Sequence, residues 1–344
     1  MKYNKIGVIG AGLMGATLIK GLQKMDFAWS IVAIVRNDEN VEKLKLESIK
    51  ASTDYKALED ADIIFIAAPL GAYEEILSTL SELQLRKEVI VSDLGSVKSF
   101  AIDLAHKLLP ETTFVAAHPI AGSHISGTGV IIDKLYQGKK LIITGAENEA
   151  SKEIADIWTD IGMEVEYIDA RQHDRIYAYV SHLVQKIAFN LNELFFHTRK
   201  SIDLLRDEYN SEIFNKFIRL KYSNPKMWDD IFSFNQKYLQ EASGNFQAAL
   251  QGVITRADEL IELGAKEALS KNTAKDLDLY SAYFVAEALQ SIVANNIDDC
   301  ESYAGPGFKD FTAILHDGKK ELTDLAVGEL GFIRDRLSAL LNSL

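Results

Sequence analysis

Cysteine is almost absent from this sequence, since Cys300 is the only one in 344 residues. A single thiol cannot form an intrachain disulfide, and it cannot supply a zinc site that needs several cysteines. The sequence also has no HExxH motif, so we expect no metal centre. A chain without disulfides suits a reducing compartment, and we expect a cytoplasmic location.

Long apolar runs and clusters of basic residues are missing as well. No window reaches the roughly 18–20 uninterrupted apolar residues that cross a bilayer. The opening segment Met1–Lys5 leads directly into a strand-like run, so we expect neither a signal peptide nor membrane association. The formal net charge of −13, without a Lys/Arg run, argues against nucleic acid as a partner.

What the sequence does contain is an alternation of strands and helices in its first half. Short apolar runs recur there, separated mostly by helical patterns: KIGVIG, IVAIV, DIIFIAA, EVIVSD, TFVAAH, KLIITG and MEVEYID. Such runs are typical of strands covered on both faces, so they predict an α/β Rossmann-like, doubly wound parallel sheet. After this region only helical periodicity remains, which predicts an all-α C-terminal domain. We place the two domains at residues 1–168 and 169–344.

A glycine motif, Gly10-Ala11-Gly12-Leu13-Met14-Gly15, follows the first strand and opens a helix. In that context Gly10 permits a tight turn, Gly12 lets the backbone approach a pyrophosphate, and Gly15 allows close packing of the helix. The free N–H groups at the start of the helix attract an anion. We therefore expect a dinucleotide bound by Gly10, Gly12, Leu13, Met14 and Gly15.

The end of the second strand bears on the choice of dinucleotide. NAD enzymes usually carry an acidic residue there for the ribose hydroxyl, whereas this chain has Val35-Arg36-Asn37. The guanidinium of Arg36 suits a 2′-phosphate, which favours NADP over NAD. In the alternative, Arg36 faces solvent and Asn37 or Asp38 holds the ribose, so NAD stays open.

Two more segments, Asp93–Lys98 and His118–Ser123, begin where predicted strands end. Open α/β sheets bind ligands at that edge. We assign Asp93 to the cofactor, and Ser96 either faces the nicotinamide or substrate or caps the following helix. Among the seven histidines, His118 is the best placed to accept a proton as a C–OH becomes C=O during hydride loss, although a structural role stays open.

Taken together, these motifs resemble the prephenate/arogenate dehydrogenase family of tyrosine biosynthesis. The resemblance rests on Gly10–Gly15, DLGSVK at 93–98, HPIAGSHISG at 118–127, SHL at 181–183 and RLKYSNPKMWDDI at 219–231. It implies an NAD(P)-dependent prephenate dehydrogenase, in which a hydride leaves C4 of a cyclohexadienol while the ring carboxylate departs as CO2. The product would be 4-hydroxyphenylpyruvate.

The resemblance also implies a role for each matching residue. His118 matches the catalytic histidine that accepts the proton of the C4 hydroxyl, and Ser96 matches the serine that orients it. Arg219 matches the arginine that binds a substrate carboxylate. His182 and Ser123 are expected to line the substrate site, with a structural role left open for His182.

One departure from the family pattern bears on the substrate. Many prephenate-using members read SHLPH where this chain has Ser181–Gln185, so Gln185 replaces the second histidine. Loss of a potentially cationic group suits arogenate, whose side chain carries an ammonium group, and Arg36 suits NADP. The alternative function is therefore an NADP-dependent arogenate dehydrogenase, which would yield tyrosine directly. We expect Gln185 at the substrate site in either case.

Gly305–Thr312 resembles a segment that other members place just before the carboxylate-binding arginine, although here it follows Arg219 at a distance. We hypothesise that it folds back, or crosses a dimer interface, to complete the pocket. The largely apolar helix Tyr177–Leu194 indicates burial on several sides, as in a homodimer formed through the helical domain.

Two other functions stay open. A β-hydroxyacid dehydrogenase or imine reductase shares the two-domain plan and would use Lys186 on the long helix, but it leaves the HPIAGS segment unexplained. A non-catalytic dinucleotide sensor belongs to a different class, and it would need neither His118 as a base nor Arg219 as a carboxylate clamp.

Overall fold

The structure is a computed structural model that describes residues 4–25, 29–122, 125, 127–195, 220, 223–262, 274–313, 315 and 327–344. The chain forms two compact units. The first unit comprises Met1–Asp174 and Pro225–Asn235, and the second comprises Arg175–Asn224 and Gln236–Leu344. The sequence-based domain boundary at residue 168 stays a prediction, but the sequence pattern did not predict that Pro225–Asn235 lies with the first unit.

Eight strands form one sheet in the described residues, in the order β3-β2-β1-β4-β5-β6-β7-β8. Their bounds are β1 Lys5–Ile9, β2 Ser30–Ile34, β3 Ala51–Ser52, β4 Ile63–Ile66, β5 Ile90–Asp93, β6 Thr113–Pro119, β7 Lys140–Thr144 and β8 Glu164–Ile168. All neighbouring strands are parallel except β6 and β7. The predicted Rossmann-like sheet is confirmed. Strands β7 and β8 run opposite to the other six, because the described residues of the β6–β7 connection contain no helix that would carry the chain back to the edge where the parallel strands begin.

Helices cover both faces of this sheet. Those of the first unit are α1 Leu13–Lys24, α2 Asp38–Leu46, α3 Tyr73–Ser81, α4 Lys98–Leu108 and α5 Glu149–Ile161, with α6 Ala170–Tyr177 crossing into the second unit. Along β4, Ile63 and Phe65 belong to one buried apolar cluster, and Ile64 and Ile66 belong to the other. Alternate side chains of a strand point to opposite faces, so burial on both faces explains why the strand runs are apolar throughout.

One helix of the first unit comes from much later in the chain. This helix, which we number α8 (Pro225–Phe234), begins with a proline at the position where its missing N–H costs nothing. Phe234 stacks on Phe100 of α4 with 3.8 Å between ring centroids, and the buried Ile231 joins the second apolar cluster. These contacts place α8 against the helices of the first unit.

The described residues of the second unit form helices and the turns that join them, without a strand. Its elements are a π-helical turn at Ala178–His182, α7 Leu183–Phe195, α9 Gln236–Glu262, α10 Ala274–Asn296, α11 Cys300–Tyr303, α12 Pro306–Thr312 and α13 Val327–Ser343. In α9 the buried residues Leu239, Ala242, Phe246 and Leu250 recur every three or four positions, as on one helix face. The predicted all-α C-terminal domain is confirmed. None of the described helices is long and apolar enough to span a bilayer.

Candidate active site

The glycine turn between β1 and α1 has backbone geometry that only glycine accommodates at two positions. Gly10 has φ of +89°, and a Cβ there would lie 2.7 Å from the carbonyl oxygen of Ala67. A Cβ at Gly15 would lie 2.0 Å from the carbonyl oxygen of Gly10. These close approaches bring α1 tightly against the end of β1, as the motif requires.

The same turn fits a bound pyrophosphate. A Cβ at Gly12 would meet only the carbonyl oxygen of Gly127, at 4.0 Å, so the backbone there is open to approach. Helix α1 begins after Gly12 without a side-chain cap and without an acidic residue in its first turn. Its first N–H groups are therefore suited to an anionic ligand.

Leu13 and Met14 lie in the first turn of α1, and their surroundings are mostly internal. Leu13 is buried, and Met14 packs against the apolar cluster on its side of the sheet. The carbonyl oxygen of Met14 accepts a hydrogen bond from Tyr136 Oη at 2.6 Å, and Gly129 N donates to Ala11 O at 2.9 Å. These bonds join the connection after β6 to the glycine turn.

Arg36 lies just beyond the end of β2 and is exposed. The neighbouring Asn37 caps α2, because its Oδ1 accepts a hydrogen bond from Asn40 N at 2.9 Å. Its side-chain oxygen is therefore engaged within the protein. Burial raises the pKa of Tyr55, an effect that Glu75 reinforces and the positive charge of Arg36 opposes. The charge of Arg36 therefore acts on the Tyr55 hydroxyl.

Three side chains form a hydrogen-bonded chain that begins in β6. His118 Nδ1 lies 2.8 Å from Nε2 of His173 in α6, and His173 Nδ1 lies 2.8 Å from Oδ1 of Asp174. The two imidazole rings meet edge to face, with 5.1 Å between centroids. His173 is fully buried, whereas His118 is partly exposed. The chain thus leads from a buried carboxylate to a partly exposed imidazole.

Electrostatics and hydrogen bonding assign the protons in this chain. Burial lowers the pKa of His173 although Asp174 opposes it, so the ring is neutral at pH 7. Burial also acts to raise the pKa of Asp174, but hydrogen bonds from His173 and from the start of α4 outweigh it and the net shift is downward. The Asp174 carboxylate therefore accepts a hydrogen bond from His173 Nδ1–H. His173 Nε2 is then an acceptor for His118 Nδ1–H, which leaves Nε2 of a neutral His118 as the basic atom.

Asp174 also caps α4. Its carboxylate oxygens accept hydrogen bonds from Lys98 N at 2.7 Å and Ser99 N at 2.8 Å, while the N-cap residue Val97 provides no side-chain cap. Ser96 is partly exposed and is not the capping residue, so the capping alternative for this serine is wrong. Asn235, the last residue of the first unit, donates to the carbonyl oxygen of Asp174 at 2.8 Å.

The side chain of Asp93, at the end of β5, is buried and bonded within the protein. Its carboxylate pairs with Lys98 Nζ at 2.5 Å and accepts hydrogen bonds from Tyr73 Oη and Gly95 N at 3.0 Å each. Burial lowers the pKa of Lys98, with Asp93 opposing, and burial raises the pKa of Tyr73, with Asp93 reinforcing. The assignment of Asp93 to the cofactor stays a prediction, and its described contacts are internal.

In the second unit, Gln185 is buried and bonded to the chain that follows Arg219. Its Nε2 donates to Leu220 O at 2.7 Å, and its Oε1 accepts from Ser223 Oγ at 3.3 Å. His182 is also buried, at the end of the π-helical turn. Two predicted site residues, Arg219 and Ser123, lie outside the described residues.

The segment 305–312 forms a loop and α12, and it lies against the same stretch of chain. A Cβ on Gly307 would be 3.4 Å from Leu220 Cδ2. Thr312 is buried, and its hydroxyl donates to the carbonyl oxygen of Phe308 at 2.9 Å. The segment folds back onto the residue after Arg219 within one chain, whereas its role in a pocket stays a hypothesis.

His173, Asp174 and Lys98 belong to the site, and the sequence motifs did not predict them. The sequence offers one signal, the His-Asp pair that follows the last strand at the start of a helix. Nothing in its spacing indicates that the chain brings it to His118.

Comparison with known proteins gives two matching family models. "Prephenate dehydrogenase, nucleotide-binding domain" matches residues 19–167, and "Prephenate dehydrogenase, dimerization domain" matches residues 169–274. The chain is 27% identical to a prephenate dehydrogenase of Lactococcus lactis subsp. cremoris, over 74% of this chain and 72% of the relative. It is 26% identical to a cyclohexadienyl dehydrogenase of Zymomonas mobilis, over 74% of this chain and 88% of the relative.

Solved structures give the same result. The fold is similar to the crystal structure of prephenate dehydrogenase from Aquifex aeolicus in complex with hydroxyphenyl propionate and NAD+. The two chains are 31% identical with a TM-score of 0.67, over 75% of this chain and 93% of the other.

Proposed function

Because the chain belongs to the prephenate dehydrogenase family of nicotinamide-dependent oxidoreductases, we propose that it converts prephenate to 4-hydroxyphenylpyruvate and CO2 in tyrosine biosynthesis. The observation that carries this proposal is the chain Asp174–His173–His118, which ends on a partly exposed histidine at the carboxyl edge of the sheet. A neutral imidazole at that place is suited to a hydroxyl that loses its proton as it becomes a carbonyl.

The reaction balances without a net proton. When bound, the nicotinamide supplies a hydride acceptor for the hydrogen on C4 of the substrate. The C4 hydroxyl gives its proton to His118 Nε2 while the bond between C1 and the ring carboxylate breaks, and the released electron pair completes the aromatic ring. His118 then returns the proton to the phenolic oxygen.

The protein contributes position and electrostatic stabilisation. His173 holds the ring of His118 through the Nδ1 hydrogen bond, so Nε2 keeps a fixed direction. As His118 gains positive charge, the negative charge of Asp174 stabilises it through His173. Ser96, at the end of the neighbouring strand, is proposed to donate to or accept from the substrate hydroxyl beside His118.

For the cofactor we propose NADP. The uncapped start of α1 and the open backbone at Gly12 support a bound pyrophosphate. Arg36 supports the 2′-phosphate, because it is exposed at the end of β2 and no described carboxylate forms an ion pair with it. The neighbouring Asn37 oxygen is already used to cap α2.

The second candidate is an NADP-dependent arogenate dehydrogenase, and one observation favours it. Gln185 stands where many prephenate-using members have a histidine, and its amide bonds to the backbone at Leu220 and the hydroxyl of Ser223. It brings no positive charge, so it does not disfavour an ammonium group on the substrate. Arg219, Ser123 and His182 are proposed to bind the carboxylates in either reaction.

We also propose a homodimer formed through the helical residues 169–344. The family model that matches residues 169–274 is described as a dimerization domain. Light scattering of the eluted peak in size-exclusion chromatography should give twice the mass of one chain, and a monomeric mass would contradict this part of the proposal.

Initial rates of nicotinamide reduction test the function, with prephenate and arogenate each offered with NAD and NADP. We expect one pairing to dominate and His118→Asn to lower kcat by about 10²–10⁴-fold, as loss of a general base does. His106→Asn is the matched control, because His106 is exposed on α4, and it should keep the wild-type rate. Absence of turnover with all four pairings would refute the proposal.

A further inference from the structure

A buried ion pair holds Ala117, the residue before His118, from both sides. Asp93 Oδ1 accepts a hydrogen bond from Ala117 N at 3.1 Å, and Lys98 Nζ donates to Ala117 O at 2.8 Å. Both charged side chains are 0% exposed. The carbonyl of Ala117 belongs to the planar peptide that includes the nitrogen of His118. The contact with Lys98 therefore restrains the backbone from which the His118 ring projects.

The same carboxylate holds the residue before Ser96. Asp93 Oδ2 accepts a hydrogen bond from Gly95 N at 3.0 Å and also binds the hydroxyl of Tyr73. A Cβ at Gly95 would lie 2.6 Å from Tyr73 Oη and 2.9 Å from Asp93 Oδ2, so only glycine fits against the carboxylate. Asp93 thus fixes the backbone next to both Ser96 and His118.

Stability alone is a poor explanation for this arrangement. Removing two charges from water costs about as much as their attraction returns, and an apolar pair of similar size is often as stable. Neither Asp93 nor Lys98 is exposed to solvent, so neither serves solubility. What the pair provides is directional bonding to two backbone segments, and those segments carry the two residues assigned to the substrate hydroxyl.

We propose that the Asp93–Lys98 pair is a positioning device that sets the separation and orientation of Ser96 and His118. The inference rests on the proposed function, in which those two side chains act together on one hydroxyl. In this role neither Asp93 nor Lys98 contacts substrate or cofactor, which replaces the sequence-based assignment of Asp93 to the cofactor. Asp93 acts through the backbone of Gly95 and Ala117.

The test uses Lys98→Met and the double variant Asp93→Asn/Lys98→Met. The single variant leaves a carboxylate buried without its cation and should lower Tm, whereas the double variant has no buried charge and should recover most of the loss. Both should lower kcat by about 10²-fold, the order expected when reacting groups are displaced by about 1 Å. For Lys98→Met the Kd of the cofactor should stay within about twofold of wild type, since the glycine turn is untouched.

Asp62→Asn is the matched control. Asp62 is also buried, accepts hydrogen bonds from Asn4 N and Lys5 N at 2.7 and 3.0 Å, and pairs with Arg86 at 2.7 Å. It precedes β4 and so lies at the opposite edge of the sheet from Asp93. This variant should lose stability while keeping kcat. If kcat of the double variant returns to the wild-type value together with Tm, the pair is structural and the proposal is wrong.

Amide hydrogen exchange gives a readout that does not need turnover. In the double variant the amides of Ala117 and His118 should exchange at least tenfold faster than in wild type, and in Asp62→Asn they should not change. If exchange in the double variant is unchanged while the wild-type protein turns over substrate, the positioning proposal alone is refuted. If exchange in the double variant is faster while the wild-type protein shows no turnover, the positioning proposal is supported and the proposed function is refuted.

Discussion

Replacing Asp174 by asparagine tests whether the negative charge behind His173 matters for catalysis. The carboxylate accepts three hydrogen bonds, from His173 Nδ1, Lys98 N and Ser99 N. Asparagine keeps the size of the side chain and one acceptor oxygen. It removes the charge and places an NH2 group where an acceptor is needed, so at least one of the three bonds is lost.

The magnitude follows from the distance between the carboxylate and the charge that develops on His118. Two hydrogen bonds of 2.8 Å with the His173 ring between them separate the two groups. At about 8–9 Å and an effective dielectric constant of about 20, Coulomb's law gives about 2 kcal/mol. Losing that stabilisation lowers kcat about 30-fold. Removing the negative charge also lowers the pKa of His118, because the protonated ring loses a favourable interaction.

The assay is kcat as a function of pH, with Tm measured on the same samples. Asp174→Asn should shift the acid limb of the profile to lower pH and lower the plateau. It should also lose about 1–2 kcal/mol of stability, because at least one of the three hydrogen bonds is lost. The control Asp103→Asn changes an exposed residue on the same helix, and it should alter neither the pH profile nor Tm. A lower Tm with an unchanged limb and plateau would show that Asp174 is only a helix cap, and the reasoning would fail.

Two further predictions concern the cofactor and pH. Arg36→Ala should raise the KM for NADP about 10–100-fold through loss of a charge-assisted hydrogen bond, with the KM for NAD within about twofold; an equal rise for both cofactors would contradict the 2′-phosphate assignment. Burial lowers the pKa of folded His173, while the unfolded residue titrates near pH 6.5. Wild-type stability therefore falls as pH drops below about 6.5 towards the folded pKa. His173→Gln should show a smaller loss of Tm between about pH 7.5 and 5.5, and an equal loss in calorimetry would count against this cause.

The parts of the fold that sequence reasoning predicted are those specified by local chemistry. The run before Gly10, the glycines themselves and the helical pattern after them define β1, the turn and α1 within a few neighbouring residues. Strand β3 has two residues, Ala51–Ser52, so it offers no pattern. The reversal of β7 depends on the lack of a helix in the described part of the preceding connection, and strand sequences do not encode their direction.

The candidate site also has a part that the sequence predicts and a part that it does not. His118 and Ser96 are predicted because they lie at or after strand ends and because they match residues of the family motifs. His173 and Asp174 are found only when α6 brings them to β6, because their bond to His118 joins residues 55 positions apart. The internal bonding of Asp93 could not be predicted either, because its partner Lys98 lies near the start of a helix, where the sequence indicates an exposed lysine. Burial of a charged pair is a property of the assembled fold.

The position of Pro225–Asn235 in the first unit has a consequence for synthesis of the chain. A ribosome finishes β8 long before it reaches α8, so the nascent first unit exposes the surface around Phe100 that α8 later covers. During that interval the hydrogen bond from the Asn235 side chain to the carbonyl oxygen of Asp174 is also absent. The first unit therefore cannot be completed until Asn235 has left the ribosome. For the same reason, a fragment that stops at residue 174 is expected to aggregate instead of giving an isolated nucleotide-binding domain.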